Sequence, residues 1–197
     1  MPLKTGAVIV AAGLSSRMGG FKPMLKAGSV SMVQRVILTL RQAGADLIVV
    51  VTGHEAELLE DHLSDMGVVC IRNHRYMDSQ MLDSVKIGLS CIRGRCDRVL
   101  FTPADVPMFT PDTVKSMLED GSPLVIPVYD GREGHPLLIA SELIPPVLCY
   151  GGDSGLSGAL KNCGCERRLL KVNDSGVLFD VDTPEDYSKV MALASHN

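Results

Sequence analysis

AVIVAAGLSSRMGGFK, residues 7–22, opens on an unbroken apolar run from Ala7 to Ala12 and closes on a lysine. The run is long enough for one buried strand. Gly13 then breaks it into a small polar loop that bears Arg17, Gly19, Gly20 and Lys22. Glycines let a backbone approach a ligand and turn its N–H groups inward, and Arg and Lys meet the remaining charge of a polyphosphate. The loop is therefore a candidate phosphate cradle. It follows neither of the common phosphate-loop patterns. A Walker A loop needs a second glycine where Met18 stands and Ser or Thr where Pro23 follows Lys22, and Leu14 and Ser15 break the dinucleotide fingerprint. The plainer alternative is a surface loop whose cations serve solubility.

Working outward, apolar residues at helical spacing predict a helix over 31–43, with Val33, Val36, Ile37 and Leu40 on one face and Gly44 as its stop. Strands are expected over 47–51, 68–72 and 98–102, with helices over 55–66 and 82–92 between them. This alternation means βαβ units and a largely parallel sheet flanked by helices, an α/β fold. Such sheets bind ligands at the carboxyl ends of their strands. Two segments lie there, 13–22 after the first strand and 102–107 after the fourth. The second half is less regular. It reads as helix 111–118, strand 124–128, turn 131–134, strand 137–140, helix 141–148, helix 156–163, strands 169–172 and 177–181, and helix 184–194. With no internal repeat or linker, residues 1–197 form one domain. Residues up to about 110, which carry the candidate phosphate cradle, are expected to form a nucleotide-binding half, and those from about 111 onward an acceptor-binding half.

Composition narrows the partners. The chain has 197 residues, 46% of them apolar and 21% charged, as in ordinary globular proteins. A formal charge of −4 without Lys/Arg clusters speaks against nucleic acid. No stretch approaches the roughly 20 apolar residues of a membrane span. No secretory leader is recognisable, so the six cysteines are expected to be free thiols in the cytoplasm.

Asp105, in Thr-Pro-Ala-Asp-Val-Pro, is held between prolines just beyond a buried strand. A carboxylate fixed there suits Mg²⁺, which takes one or two carboxylates along with phosphate oxygens and water. A turn or capping role is the alternative, although Thr110 ahead of Pro111 is the better cap. The second carboxylate is Asp182 in DVDTPEDY, with Asp180 as fallback. That string is also a good helix start, so Thr183 is taken as the cap and Asp182 as the ligand. His135 follows a glycine turn and could touch an acceptor or simply pack. Asp153 and Ser154 sit in a glycine-rich loop that could face the acceptor.

The motifs AAGxSSRMGxxK, VVTGHEAE, DSVxxGL, TPADVP, GHP and DVDTPEDY, in this order, resemble those of the molybdenum cofactor nucleotidyltransferases, within a GT-A-like superfamily. The resemblance covers nearly the whole chain. It implies a single Rossmann-like nucleotidyltransferase domain that uses Mg²⁺. In its cytidylyl branch, CMP passes from CTP to the terminal phosphate of molybdopterin, releasing pyrophosphate. It further implies that Ala11, Ala12, Gly13, Arg17, Gly19, Lys22, Ser84 and Ala104 bind the nucleotide, with Ser84 at the pyrimidine edge. Arg17, Lys22 and Asp105 would be catalytic, Asp105 and Asp182 would hold the metal, and His135 and Asp153 would meet the phosphorylated pterin acceptor. Lys22 is expected to be exposed, so that its removal spares the fold.

Ala11-Ala12-Gly13-Leu14 has the cytidylyl form, whereas the guanylyl branch opens Leu-Ala-Gly-Gly. Val106-Pro107 after Asp105 differs from the Ala-Arg-Pro of the isoprenoid enzymes. Gln80 stands near the place where molybdenum cofactor enzymes usually carry a glycine. Guanylyl transfer, transfer to a sugar phosphate, and a non-enzymatic carrier that delivers cofactor to a recipient molybdoenzyme are the alternatives.

Overall fold

The computed structural model describes residues 3–14 and 20–194. β1 (Thr5–Ala11) leads into a short hairpin, β2 (Lys26–Ala27) and β3 (Val30–Ser31). Then come α1 (Met32–Gln42), β4 (Leu47–Thr52), α2 (Ala56–His62), β5 (Val69–Arg72), α3 (Met81–Ile92) and β6 (Arg98–Pro103). The second half runs through α4 (Pro111–Glu119), β7 (Leu124–Tyr129), β8 (Arg132–Glu133), β9 (Leu137–Ala140), α5 (Ile144–Cys149), α6 (Gly155–Asn162), β10 (Arg168–Lys171) and α7 (Pro184–Ala194). The main sheet has the order β10-β7-β9-β6-β1-β4-β5, with β8 attached to β7. β5, β4, β1 and β6 pair in parallel, and β10 is parallel to β7. Only β9 runs against its neighbours β6 and β7 along that path. This is the single α/β domain with a mostly parallel sheet that the alternating pattern predicts.

β1 is buried along its whole length because helices cover both faces of the sheet. Ala7, Ile9 and Ala11 enter the core formed with α1, α2 and α4, while Val8 and Val10 enter the one formed with α3, α5 and α6. Burying each Val or Ile side chain fully contributes about 1.5–3 kcal/mol. α1 begins at a capping box: Ser31 Oγ accepts from the Gln34 N–H, and Gln34 Oε1 accepts from the Ser31 N–H. α3 lies unusually close to the sheet. A Cβ on Gly88 would come within 2.4 Å of Val8 Cγ1, so only glycine fits there.

The structure departs from the predicted elements at four places. β2 and β3 carry no strong pattern, but Ala27 is buried with Met32, Val181 and Val190 in a small third core beneath α7. The second helix stops at His62, and a 3-10 turn over Ser64–Met66 completes the predicted span. The predicted 131–134 turn is tighter and starts one residue earlier: Asp130 and Gly131 form it, and Arg132 and Glu133 pair with β7 as the second strand of a hairpin. The apolar residues 177–181 are not a strand. Ser175–Leu178 is a 3-10 turn capped by Asp174, whose side chain accepts from the Gly176 N–H. All six cysteines are free thiols, as expected. No helix among the described residues is long and apolar enough to cross a membrane.

Candidate active site

The carboxyl ends of β1 and β6 form one wall of a cleft of about 590 Å³. Ala11, Gly13, Leu14, Lys22, Ala104 and Asp105 line that side, and the opposite side is lined by residues 132–135, 177–178, Asp180 and Asp182. Backbone hydrogen bonds set the first wall: the Ala104 N–H donates to the Val10 carbonyl at 2.9 Å, extending the β1–β6 pairing up to Asp105. The Val181 N–H donates to the Asp105 carbonyl at 3.0 Å. That one bond draws the chain before α7 alongside β6, with Asp180 and Asp182 on either side of it.

Each of Asp105, Asp180 and Asp182 offers a carboxylate oxygen, and the three oxygens lie within 4.8 Å of one another. Lys22 Nζ stands 2.6 Å from Asp182 Oδ1 and 3.8 Å from Asp105 Oδ2. Lys22 is thus buried, not exposed as its place in a polar loop suggests, because its partner arrives from 160 positions downstream. Burial raises the Asp105 pKa, the Lys22 ammonium opposes that rise, and Asp182 adds to it. Asp180 is pushed up to about 6, first by burial and then by Asp105 and Asp182. Asp105 and Asp180, both with raised proton affinity and crowded against Asp182, form a group that wants a cation. Their all-oxygen chemistry fits a hard divalent ion. Asp180, only a fallback in the sequence, belongs to the cluster: in an extended Asp-Val-Asp, residues i and i+2 share a side, which is the signal for it.

Thr183 caps α7 as expected. Its Oγ1 accepts from the Asp186 N–H at 3.2 Å while Asp186 Oδ2 accepts from the Thr183 N–H, which leaves Asp182 out of the cap. Thr110 likewise caps α4.

The far wall is pinned by a carboxylate absent from the sequence candidates. Asp174 Oδ2 accepts from the Thr110 N–H, Thr110 Oγ1 and Thr113 Oγ1, and its Oδ1 accepts from the Gly176 N–H. The turn residues Asn-Asp-Ser-Gly at 173–176 were its only sequence signal. The His135 N–H donates to the Val177 carbonyl, and a Cβ on Gly134 would lie 2.4 Å from that same oxygen. His135 packs edge-on to Phe101 with centroids 5.7 Å apart. Burial pulls its imidazole down to about 4, against a hydrogen bond to the Phe101 backbone, so the ring is neutral at pH 7. Its Nδ1 is buried with no hydrogen-bond partner among the described residues.

Three of the site candidates are not brought to the cleft. Ser84 is 3% exposed on the inner face of α3, where its Oγ accepts from Asn73 Nδ2 at 2.9 Å. Ala12 is buried in the core facing α3 and is absent from the lining. Asp153 is exposed in the loop before α6 and is also absent from the lining. Arg17 and Gly19 lie outside the described residues. Leu14 and Met81 line the cleft without having been singled out, and both are about half exposed or more.

The profile described as "MobA-like NTP transferase domain" matches residues 7–171. The molybdenum cofactor cytidylyltransferase of Escherichia coli (strain K12) is 27% identical over 184 residues, covering 91% of this chain and 92% of that protein. The bifunctional protein GlmU of Staphylococcus carnosus (strain TM300) is 29% identical over 117 residues, 57% of this chain, which spans about a quarter of that protein's length (25%). Among solved structures, a nucleotidyl transferase from Methanothermobacter thermautotroptrophicus superposes with a TM-score of 0.86 at 26% identity, covering 98% of each chain. The chain belongs to the MobA-like NTP transferase domain family and is a nucleotidyltransferase by that membership.

Proposed function

We propose that the protein transfers CMP from CTP to the terminal phosphate of a molybdopterin-type pterin and releases pyrophosphate. The observation that carries this reading is the meeting of Lys22 with Asp105, Asp180 and Asp182 at the carboxyl edge of the sheet. The whole-length similarity to the Escherichia coli cytidylyltransferase supports the choice of nucleotide and acceptor.

Asp105 and Asp182, with Asp180 beside them, would hold Mg²⁺. When bound, it would supply Lewis-acid polarisation at phosphate and offset charge. The other contributions come from the chain itself. Gly13 is exposed and leaves its backbone open to a phosphate, with Arg17, Gly19 and Lys22 adding donors and charge. Ala11 and Ala104 keep the lining at the strand ends small, so a nucleotide can lie against the sheet edge. His135, among the cleft-lining residues and neutral, would shape the acceptor side without adding a charge. No general base is needed, because a phosphate monoester is largely dianionic at pH 7 (second pKa of about 6). The catalytic task is positioning and charge stabilisation. Residues up to about 110 serve the nucleotide, and those beyond serve the acceptor.

Pyrophosphate release tests this directly, with CTP, GTP, ATP and UTP each offered alongside molybdopterin, with and without Mg²⁺. CTP should dominate and require the metal, and Asp105→Asn should lose about 10³-fold in kcat while staying folded. Faster release with GTP would move the protein to guanylyl transfer. Tight pterin binding with no release from any nucleotide would make it a carrier.

A further inference from the structure

The cleft's charges leave one cation without an assigned task. Among the described lining residues the cationic side chains are Lys22 and Arg132, and Lys22 stands among the carboxylates. Arg132 lies on the far wall. No hydrogen bond or ion pair engages its side chain among the described residues. Its neighbour Glu133 would be the obvious partner, but Glu133 Oε2 accepts from Arg167 Nη2 at 2.5 Å. That ion pair holds Glu133 to the segment before β10.

The backbone beneath Arg132 is well defined. Arg132 pairs with Tyr129 and Glu133 with Val128, which leaves Asp130 and Gly131 as a two-residue turn. Both have positive φ, 48° and 73°, as a tight hairpin turn demands. β7, the hairpin's other strand, is part of the main sheet. Arg132 thus lines the cleft from a hairpin strand paired to the main sheet.

A phosphorylated acceptor that enters this cleft brings about two negative charges toward three carboxylates. Some cation on the acceptor's own side has to meet it. His135 is the nearest candidate by sequence, but its buried imidazole is neutral at pH 7. Arginine's planar fork matches phosphate oxygens in pairs and stays charged throughout the working range.

We propose that Arg132 binds the acceptor's phosphate monoester group and makes that phosphate a condition for acceptor binding. This rests on the nucleotidyl-transfer reading and sharpens it, because it assigns one cation to the acceptor alone.

The test compares wild type, Arg132→Gln and Arg132→Lys by equilibrium binding, free of turnover. The probes are molybdopterin, its dephosphorylated form and CTP with Mg²⁺. Arg132→Gln should weaken molybdopterin binding by about tenfold or more, leave dephosphorylated pterin and CTP within about twofold of wild type, and keep the same melting temperature. Arg132→Lys should recover part of the loss, since a point charge lacks the fork. If Arg132→Gln prefers phosphorylated pterin as strongly as wild type does, the proposal is overturned. Equal losses for CTP and pterin overturn it too, since Arg132 would then serve the nucleotide. If wild type does not bind molybdopterin, the pterin reading fails separately, and the comparison is made with glucose 1-phosphate against glucose. Absence of a phosphate preference dependent on Arg132 in that pair also overturns the proposal.

Discussion

Along the wall formed by β1 and β6, the functional groups sit at the ends of strands buried on both faces. Along the opposite wall they hang from a hairpin and a 3-10 turn that Asp174 fastens to α4. The first wall draws its rigidity from the core, and its shape survives as long as the sheet does. The 3-10 turn of the second draws its rigidity from a few hydrogen bonds to a single carboxylate, so it can fail while the sheet and the hairpin paired to it remain intact. The lesson concerns independence: the two sides of one cleft can be damaged separately, and each kind of damage has its own signature.

The largest expected effect comes from removing that fastening. Asp174→Ala leaves the Thr110 and Gly176 N–H groups and two threonine hydroxyls without their acceptor in a nearly closed site. Orphaned buried groups cost about 1–3 kcal/mol each, so a loss of about 3 kcal/mol is expected after partial relaxation. For a chain of this size that lowers Tm by roughly 6–12 °C. Thermal unfolding measures the loss, and acceptor KM should rise more than nucleotide KM. Equal damage to both would mean that the far wall supports the near one, and the contrast between them would be gone.

A smaller effect lies in the pH dependence, where two groups of the far wall pull in opposite directions. The Asp180 carboxyl holds its proton up to about 6 when folded but releases it near 3.8 when unfolded. The folded state then binds more protons, so this group makes stability fall as pH rises through that window. His135 does the reverse. Folded it protonates only near 4, unfolded near 6.5, so it makes stability rise with pH over an overlapping window. Denaturant titrations of the metal-free protein between pH 4 and 6.5 should therefore show a shallow profile. Asp180→Asn should steepen the upward slope, and His135→Gln should turn it downward. Identical slopes in the two variants would contradict this assignment of charges.

The smallest effect separates position from chemistry at Ser84. If its hydroxyl only supports Asn73, Ser84→Ala costs about 1 kcal/mol and leaves CTP affinity within about twofold. A tenfold loss of CTP affinity without loss of stability would return Ser84 to the nucleotide side.

These contrasts also explain what could be read from the chain alone. β1 and β6 were legible because strands covered on both faces require continuous apolar runs, and few other structures do. The site segments after them followed from topology, since parallel strands present their carboxyl ends at one edge. Asp105 and Asp182 do come together there, but not at the ends of two parallel strands: a single backbone bond, from the Val181 N–H to the Asp105 carbonyl, brings the irregular chain before α7 to that edge.

The far wall resisted prediction because its conformation is decided by distant partners. Val177 and Val181 alternate with other residues as a strand would. Yet Gly176 is packed so closely that a Cβ would lie 2.1 Å from the Met108 carbonyl oxygen, and the chain there turns instead of extending. Lys22 looked exposed for a similar reason, since no local feature announces Asp182. The burial of Ser84 was legible in the chain. It lies one turn before Gly88, on the face with Val85 and Leu89, and helical spacing alone places such a residue against the sheet.

The bond between Lys22 and Asp182 has a consequence for the making of the protein. A ribosome adds about 5–20 residues per second, so the 160 positions between them take roughly 8–32 s to synthesise. Throughout that interval the emerging chain carries its glycine loop and, later, Asp105, but lacks the acids that complete the cluster. Val181 and Asp182 then arrive together, one joining the Asp105 backbone and the other engaging Lys22. The charged centre is assembled only once Asp182 has been made, so a chain cut short before it never acquires the complete cluster.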